Sequence, residues 1–111
     1  MQETKSAMTQ INAASFDLEV LGEKRIVLVD VSTPWCPPCR MMTPIVEKIA
    51  AAYPDRVKVC AVDTSEDIEL GRRLNISVVP TFFVYRSGEV VEKFQGAVSE
   101  RVLLSKLGLS T

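Results

Sequence analysis

Two cysteines separated by two residues are the side chains of this chain best suited to chemistry. Cys36 and Cys39 flank two prolines and follow the only tryptophan, in the segment Trp35-Cys36-Pro37-Pro38-Cys39. They stand directly after an apolar run that predicts a buried strand, at the start of a segment with helical spacing. At a helix N-terminus, side chains three positions apart are close enough for a disulfide, and free N–H groups stabilise a thiolate at Cys36. The pair therefore predicts a dithiol that can open and close.

A structural disulfide and a zinc site are the alternatives for these cysteines. By loop-closure entropy, a Cys36–Cys39 bridge would stabilise the fold by about 2 kcal/mol and a Cys36–Cys60 bridge by about 3.5 kcal/mol, so a bridge kept for stability would favour the longer loop. Three cysteines without histidine cannot complete a four-ligand zinc site unless a carboxylate or a second chain contributes. We therefore favour redox chemistry and predict no metal site.

Cys60 differs from the pair because it lies in the middle of the apolar run Val57–Val62. A buried free cysteine commonly behaves as a small hydrophobic residue. We interpret Cys60 as a core residue, with a regulatory thiol as the alternative.

The composition limits the other functions of the chain. Its 111 residues predict a single domain over 1–111, with residues 1–6 as a disordered tail. A net charge of −1 provides no basic surface for nucleic acid or an anionic membrane, and the absence of histidine excludes imidazole bases. The N-terminus lacks the apolar segment of a secretory signal, and the longest apolar run is too short to span a bilayer. We expect a cytoplasmic monomer.

Strand and helix patterns alternate around the cysteines. Strands are predicted at Ala7–Ile11 (a weak edge strand), Arg25–Val31, Val57–Val62, Val78–Tyr85 and Glu89–Gln95. Helices are predicted at Ser15–Gly22, Cys36–Tyr53, Ser65–Asn75 and after Ser99, with the serines as N-caps and a kink at Pro44. The order β-α-β-α-β-α-β-β-α predicts a three-layer α/β protein with a parallel half and an antiparallel hairpin at one edge.

The chain resembles the thioredoxin family over nearly its whole length, from Ser15-Phe16-Asp17 to the last helix. The matching segments are Val29-Asp30, Trp35-Cys36-x-Pro38-Cys39-Arg40, Thr43-Pro44, Val62-Asp63, Val79-Pro80-Thr81, Gly88 and Gly96. A Cys-x-x-Cys pattern alone is a weak signal, whereas Trp-Cys-x-Pro-Cys followed by a later Val-Pro-Thr is specific. The resemblance implies the thioredoxin fold, an α/β fold whose central mixed five-stranded sheet is flanked by about four helices.

The resemblance also implies that the protein is a protein-disulfide reductase. Cys36 would attack a target disulfide, Cys39 would resolve the mixed disulfide, and an external flavin-dependent thioredoxin reductase would reduce the resulting Cys36–Cys39 disulfide. The implied partners are that reductase and disulfide-containing target proteins, and no cofactor is bound. Family analogy makes Val79–Pro80 a cis peptide, with the Val79 backbone pairing with an extended target. The implied substrate-binding residues are Trp35, Pro37, Pro38, Val79, Pro80 and Gly96.

Asp30, near the end of the strand before the cysteines, has two interpretations. A carboxylate at such a place is commonly a structural cap. Behind a Cys-x-x-Cys helix, however, burial raises the pKa of a carboxyl group. Asp30 could then accept the proton of Cys39, which is the role of the matching residue in the family.

Three positions depart from the usual pattern of the family. Ser32 stands in place of a second tryptophan, and Pro37 replaces the usual glycine. Val59 stands where many members carry a lysine near the buried aspartate. These departures affect the expected redox potential and target range more than the fold.

Two other functions fit the same pattern. A disulfide oxidase or isomerase would use the same dithiol at a different potential, but strong oxidants of this fold usually have a histidine between the cysteines, and this chain has none. A redox-inert binding module would present an apolar surface of Trp35, Pro38 and Pro80 to one partner and would keep its activity without cysteines. We favour the reductase.

Overall fold

Five strands form one mixed sheet in the computed structural model, which describes residues 6–109. The strands are β1 (Thr9–Gln10), β2 (Ile26–Ser32), β3 (Val57–Asp63), β4 (Thr81–Arg86) and β5 (Glu89–Gln95), in the sheet order β1-β3-β2-β4-β5. The first three strands are parallel, whereas β4 is antiparallel to β2 and β5 to β4. The helices are a short π-helix (Asp17–Leu21), α1 (Pro37–Ala52), α2 (Ile68–Arg73) and α3 (Glu100–Lys106). The predicted fold and order of elements are confirmed.

Helices cover both faces of the sheet because alternate strand residues point to opposite sides. On one side, strand residues such as Leu28 and Phe82 pack in a core that includes residues of α1 and α3. On the other side, residues such as Val29 and Phe83 pack with Leu70 of α2 and with the π-helix. This burial on both faces explains why β2, β3 and β4 are apolar over almost their whole length.

The long helix α1 begins and ends close to the predicted positions. Cys36 is its N-cap and Tyr53 its C-cap. The buried side chains of α1 are Cys39, Met42, Val46, Ile49 and Ala50. Pro44 lies inside the helix on its exposed side, and the kink expected there stays a prediction.

Two of the three predicted N-caps are wrong. The Ser15 hydroxyl group accepts a hydrogen bond from the Asn12 backbone N–H instead of capping the π-helix. The Ser65 side chain bonds to the Asp63 carboxylate, and α2 is capped by Asp67, which accepts from the Leu70 N–H at 2.9 Å. The Ser99 cap is confirmed, since its hydroxyl group accepts from Val102 N–H at 3.2 Å.

The hairpin of β4 and β5 is confirmed, but β4 begins at Thr81 rather than at Val78. Pro80 has no backbone N–H for a strand ladder, so regular pairing begins after it. The turn between the strands places Ser87 and Gly88 at positive φ, 54° and 82°, which is the geometry of a two-residue hairpin turn.

Residues 1–5 of the predicted disordered tail lie outside the described residues, and the Ser6 hydroxyl donates to the Glu47 carboxylate at 2.7 Å. Within residues 6–109, no helix is long and apolar enough to cross a membrane. The same part of the chain contains no group of three or more metal-binding side chains that could hold an ion.

Candidate active site

The two cysteines form a disulfide at the N-terminus of α1, with their Cα atoms 5.2 Å apart. Cys36 has extended backbone geometry, and Pro37 and Pro38 occupy the first two helical positions. Because prolines have no N–H, the first backbone donor of the helix is Cys39, whose N–H points to the Cys36 Sγ at 3.2 Å. The prolines thus remove the competing donors from the loop and leave one donor directed at the Cys36 sulfur.

The two sulfurs differ in their access to solvent. Cys36 is half-buried, whereas Cys39 is only 4% exposed. The Cys36 Sγ also lies 3.6 Å from the carbonyl oxygen of Val79, on the loop before β4. Cys36 is thus the more accessible of the two cysteines, and Cys39 is shielded from solvent.

Asp30 lies on β2 and is buried, with 4% of its surface exposed. Its Oδ1 has no hydrogen-bond partner in the described part of the chain. Burial raises the pKa of this carboxyl group from 3.8 to about 7. An acid with this pKa exchanges a proton near neutral pH, which is the property required of a base for a thiol.

The neighbour of Asp30 on β3 is Ala61, not Val59. The strand register places Ala61 opposite Asp30 and Val59 opposite Leu28, in the core beneath α1. Val59 lies two positions from Ala61 on the same face of the sheet, and its correspondence to a lysine of other family members stays a prediction. Neither Ala61 nor Val59 carries a charge.

A cavity of about 330 Å³ connects Asp30 and Cys39 with the surface. Its buried lining includes Asp30, Cys39, Ala61 and Val62, and its exposed lining includes Arg40. The remaining lining residues are Ser6, Met8, Gln10, Ser32, Thr33, Pro34, Thr43, Glu47 and Asp63. Asp30, the candidate acid–base residue, and Cys39, the buried cysteine, thus line the same cavity.

The loop before β4 is fixed beside the disulfide. The Val79–Pro80 peptide is cis, as the resemblance implies. The Pro80 carbonyl accepts a hydrogen bond from Gly96 N–H at 2.9 Å, and Gly96 has a φ of 82°, which favours glycine. Pro80 and Gly96 are therefore in direct contact, and Val79 faces Cys36.

Apolar side chains are exposed around the disulfide. Trp35 is 73% exposed, and Pro37, Met41 and Val78 are also exposed. Sequence reasoning identified the first two but missed Met41 and Val78. Met41 lies on the exposed side of α1, next to the buried Met42. An apolar residue outside the buried stripe of the helix is the sequence signal that could have identified Met41 as part of an exposed apolar surface.

A second cavity has a volume of about 550 Å³. It is lined by Thr33 and Val79 and by α2 and the loop that follows it, including Arg72 and Ile76. It does not include either cysteine of the disulfide.

Cys60 is separate from this site. It is fully buried among the side chains facing α2 and the π-helix, and it is a free thiol. Burial raises the pKa of the Cys60 thiol to about 11. The prediction of a core cysteine is confirmed by this burial, and little thiolate forms at Cys60 at neutral pH.

Comparisons with known proteins agree with the resemblance. The family model described as Thioredoxin matches residues 7–108. Thioredoxin from Pyropia yezoensis is 37% identical over 101 residues, which cover 91% of this chain and 94% of the relative. Thioredoxin from Synechocystis sp. is 38% identical over 102 residues, covering 92% and 95%. Thioredoxin M-type, chloroplastic, from Pisum sativum is 32% identical over 106 residues, covering 96% of this chain and 62% of the relative.

Proposed function

The chain belongs to the thioredoxin family of thiol-disulfide oxidoreductases, and we propose that it reduces target proteins with Cys36 as the attacking thiol and Cys39 as the resolving thiol. The Cys36 thiolate attacks one sulfur of a target disulfide, forming a bond to it, and the other target sulfur leaves as a thiolate. The Cys39 thiolate then attacks the Cys36 sulfur, forming the Cys36–Cys39 disulfide and releasing the second target thiolate. The target gains two electrons and two protons, and the dithiol loses them.

The difference in exposure between the two sulfurs carries this assignment. A thiol must be accessible to attack a folded protein, and only Cys36 is partly exposed. The Cys39 N–H lies where it stabilises negative charge on Cys36, which favours the thiolate at that position. Cys39 needs access only to Cys36, and the helix provides that contact.

Asp30 is the proposed proton acceptor for Cys39. The resolving thiol is buried and must lose its proton before it can attack. Asp30 faces the same cavity as Cys39, its Oδ1 has no hydrogen-bond partner within residues 6–109, and its raised pKa keeps it available for proton exchange near neutral pH. These three observations support a catalytic acid–base role rather than a structural cap.

The proposed target surface surrounds the disulfide. Trp35, Pro37 and Pro38 are next to the two cysteines in the chain, and the Val79 carbonyl oxygen lies 3.6 Å from the Cys36 Sγ. Pro80, which is buried, and Gly96, which is half-buried, are joined by a hydrogen bond and are proposed to support the Val79 backbone. The Val79 backbone is available to pair with an extended segment of the target, as in strand addition. The exposed Met41 and Val78 extend the apolar part of this surface.

The electron donor is proposed to be an external flavin-dependent thioredoxin reductase. Each turnover leaves the Cys36–Cys39 pair oxidised, so the reaction requires a donor of two electrons that can reach the partly exposed Cys36. We expect no cofactor to be bound by the chain itself. The proposal is tested by incubating the oxidised protein with a thioredoxin reductase and NADPH and counting the thiols that appear.

We propose a monomer in the cytoplasm. The edge strand β5 carries Glu89, Glu92 and Lys93, and such charges oppose pairing with a second sheet. Sedimentation should therefore give the mass of one chain, 12.3 kDa.

A free thiol at Cys60 fits a reducing compartment such as the cytoplasm. Because the Pisum sativum relative is named as chloroplastic, cell fractionation should compare the cytoplasm with plastids where these exist.

A single-turnover reaction tests the proposed function. The reduced protein is mixed with an excess of a protein containing an accessible disulfide, and the thiols formed on the target are counted. We expect one target disulfide to be reduced for each Cys36–Cys39 pair, and none by the matched variant Cys36→Ser/Cys39→Ser. Equal activity of that variant would favour a redox-inert binding module instead.

A further inference from the structure

The loop between β5 and α3 makes two hydrogen bonds to different elements near the disulfide. Gly96, at the start of the loop, donates its N–H to the Pro80 carbonyl at 2.9 Å. Two residues later, the Val98 N–H donates to the Met42 Sδ at 3.4 Å, and this sulfur is the only acceptor of that N–H within residues 6–109. The loop therefore joins helix α1 to the segment that precedes β4.

Met42 lies on the same face of α1 as the buried cysteine. It follows Cys39 by three positions, about one turn of the helix, and is 1% exposed. Its side chain is part of the core beneath α1, against which Val98 also packs. An apolar core position requires no hydrogen-bond acceptor, and leucine has a similar volume. The thioether sulfur adds the one property that leucine lacks, which is a weak acceptor for the Val98 N–H.

The segment before β4 receives the Gly96 bond next to its contact with the disulfide. The Val79 carbonyl oxygen lies 3.6 Å from the Cys36 Sγ, and Pro80 follows directly. Pro80 offers only its carbonyl group to backbone hydrogen bonds, because proline has no N–H. The bond from Gly96 to this carbonyl thus fixes the backbone beside Val79.

We propose that Met42, through its sulfur, is a positioning residue that prepares the Val79 backbone for target binding. The sulfur holds the Val98 N–H, and this keeps the neighbouring Gly96 bonded to Pro80. The role rests on the proposed pairing of the Val79 backbone with an extended target. A backbone that is fixed before the target binds loses less conformational freedom on binding. Loss of the sulfur should therefore slow the reaction with protein disulfides and leave the attacking thiol itself unchanged.

The variant Met42→Leu removes the acceptor and retains an apolar side chain. We expect the rate constant for reduction of a protein disulfide to fall by about threefold to tenfold, in the range of one net hydrogen bond. The rate constant for bis(2-hydroxyethyl) disulfide should be nearly unchanged, because this small disulfide needs Cys36 but has no extended segment to pair with Val79. Ile49→Leu, two turns further along the same buried face of α1, is the matched control and should leave both rate constants unchanged.

Amide hydrogen exchange measures the two loop bonds directly. In Met42→Leu, the amides of Val98 and Gly96 should exchange severalfold faster than in the parent. The Leu103 amide, which bonds to the Ser99 carbonyl at the start of α3, should exchange as in the parent. A general loss of stability would instead affect all three amides.

Replacement of the single sulfur atom provides a second variant. In the background Met8→Leu/Met41→Leu, Met42 is the only methionine after the first residue. Selenomethionine keeps a weak acceptor at this position, whereas norleucine places a methylene group there and preserves the length of the side chain. With the protein disulfide, the selenomethionine protein should react as fast as the methionine protein of the same background, and the norleucine protein should be slower by the same factor as Met42→Leu.

The outcomes separate the role of Met42 from the proposed function. If the parent reduces the small disulfide but no protein disulfide, the proposed function is wrong and the role of Met42 is wrong with it. If the parent reduces both, the proposed function stands. The role of Met42 is then wrong if Met42→Leu or the norleucine protein keeps the full rate with the protein disulfide, if Met42→Leu slows both disulfides equally, if Ile49→Leu has the same effect, or if the Gly96 amide exchanges as in the parent.

Discussion

Asp30 is deeply buried, and its Oδ1 has no hydrogen-bond partner in the part of the chain that the structure describes, so its ionisation affects the stability of the fold. The pKa of its carboxyl group rises from 3.8 in the unfolded chain to about 7 in the fold because burial disfavours the charged form. Between pH 3.8 and about pH 7, the carboxyl group of Asp30 is ionised in the unfolded chain but still protonated in the folded protein. The folded state then binds more protons, so its stability falls as pH rises through this range. Once Asp30 is fully ionised in the folded protein as well, the free energy of unfolding has fallen by on the order of 4 kcal/mol.

We therefore predict that Asp30→Asn removes a large part of the pH dependence of stability. In denaturant unfolding of the oxidised proteins, the parent should lose stability between about pH 4 and pH 8, and Asp30→Asn should lose much less and be the more stable protein at the upper end. Asp55→Asn changes the same side chain at an exposed position and should follow the parent. Parallel pH profiles for the parent and Asp30→Asn would show that Asp30 is not strongly perturbed.

The surroundings of Asp30 could be predicted only in part. The sequence indicates a buried carboxylate, because Asp30 interrupts an apolar run. It does not place Ala61 opposite Asp30, since register depends on the pairing of β2 with β3, whose residues are distant in the chain. The cavity likewise depends on the packing of α1 over both strands, which residue patterns alone do not specify.

The N-terminus of helix α2 is set by one of two candidate N-cap residues. Ser65 and Asp67 are both suitable N-caps by residue type. The structure uses Asp67, whose Oδ2 also accepts from the backbone N–H of Ala13 at 2.7 Å, 54 positions away in the chain. This distant contact decides between two similar local choices, and for that reason the sequence alone suggested the wrong one.

Removal of the observed N-cap, Asp67, should lower the free energy of unfolding more than removal of the predicted N-cap, Ser65. We expect Asp67→Ala to lower the free energy of unfolding by about 1–2 kcal/mol, since Leu70 and Ala13 lose their acceptor. Ser65→Ala, two residues earlier, should change it by about 0.5 kcal/mol or less. Denaturant unfolding of both variants checks this order, and an equal or larger loss for Ser65→Ala would contradict the assignment.

Pro37 tests what the first turn of α1 contributes to the disulfide. It occupies the first helical position, where its missing N–H leaves the Cys39 donor unchanged. We expect Pro37→Gly to change the reduction potential by less than about 30 mV, equivalent to about 1.4 kcal/mol. The free energy of unfolding should fall by about 0.4–1 kcal/mol, because the unfolded chain gains freedom.

A control for Pro37→Gly is available beyond the other end of α1. Pro54→Gly, at an exposed position after the helix, adds similar freedom to the unfolded chain and should leave the potential unchanged. If Pro37→Gly shifts the potential by more than about 60 mV, Pro37 tunes the Cys36 thiolate directly and the interpretation of the double proline is wrong.

At the scale of the whole molecule, the sheet separates two kinds of cysteine. The Cys36–Cys39 pair lies at the end of the sheet where β2 leads into α1, and Cys60 lies inside the core that faces α2. We predict that reduction of the folded protein produces two reactive thiols and that Cys60 reacts only after unfolding. Thiol counting with and without denaturant measures this, and a third thiol in the folded reduced protein would show that Cys60 is accessible.

The order of strands and helices was predictable because apolar runs, turns and the proline-flanked cysteines each favour one element. The greater accessibility of Cys36 was also expected, because Cys36 stands at the start of the helix. Its contact with the Val79–Pro80 loop could be expected only from the family resemblance, because this loop approaches from more than forty positions away in the chain. The distance from the Cys36 Sγ to the Val79 carbonyl is 3.6 Å, and this contact belongs to the assembled fold rather than to the motif.

The assignment of Cys36 as the attacking thiol and Cys39 as the resolving thiol is tested most directly by trapping with variants that each lack one cysteine of the pair. Cys39→Ser retains the accessible thiol and lacks the group that releases the target, so it should accumulate mixed disulfides with a disulfide-containing protein. Cys36→Ser retains only the buried thiols of Cys39 and Cys60 and should trap almost none. The adducts are measured by mass spectrometry before and after reduction. Trapping by Cys36→Ser but not by Cys39→Ser would reverse the roles of the two cysteines and contradict the mechanism.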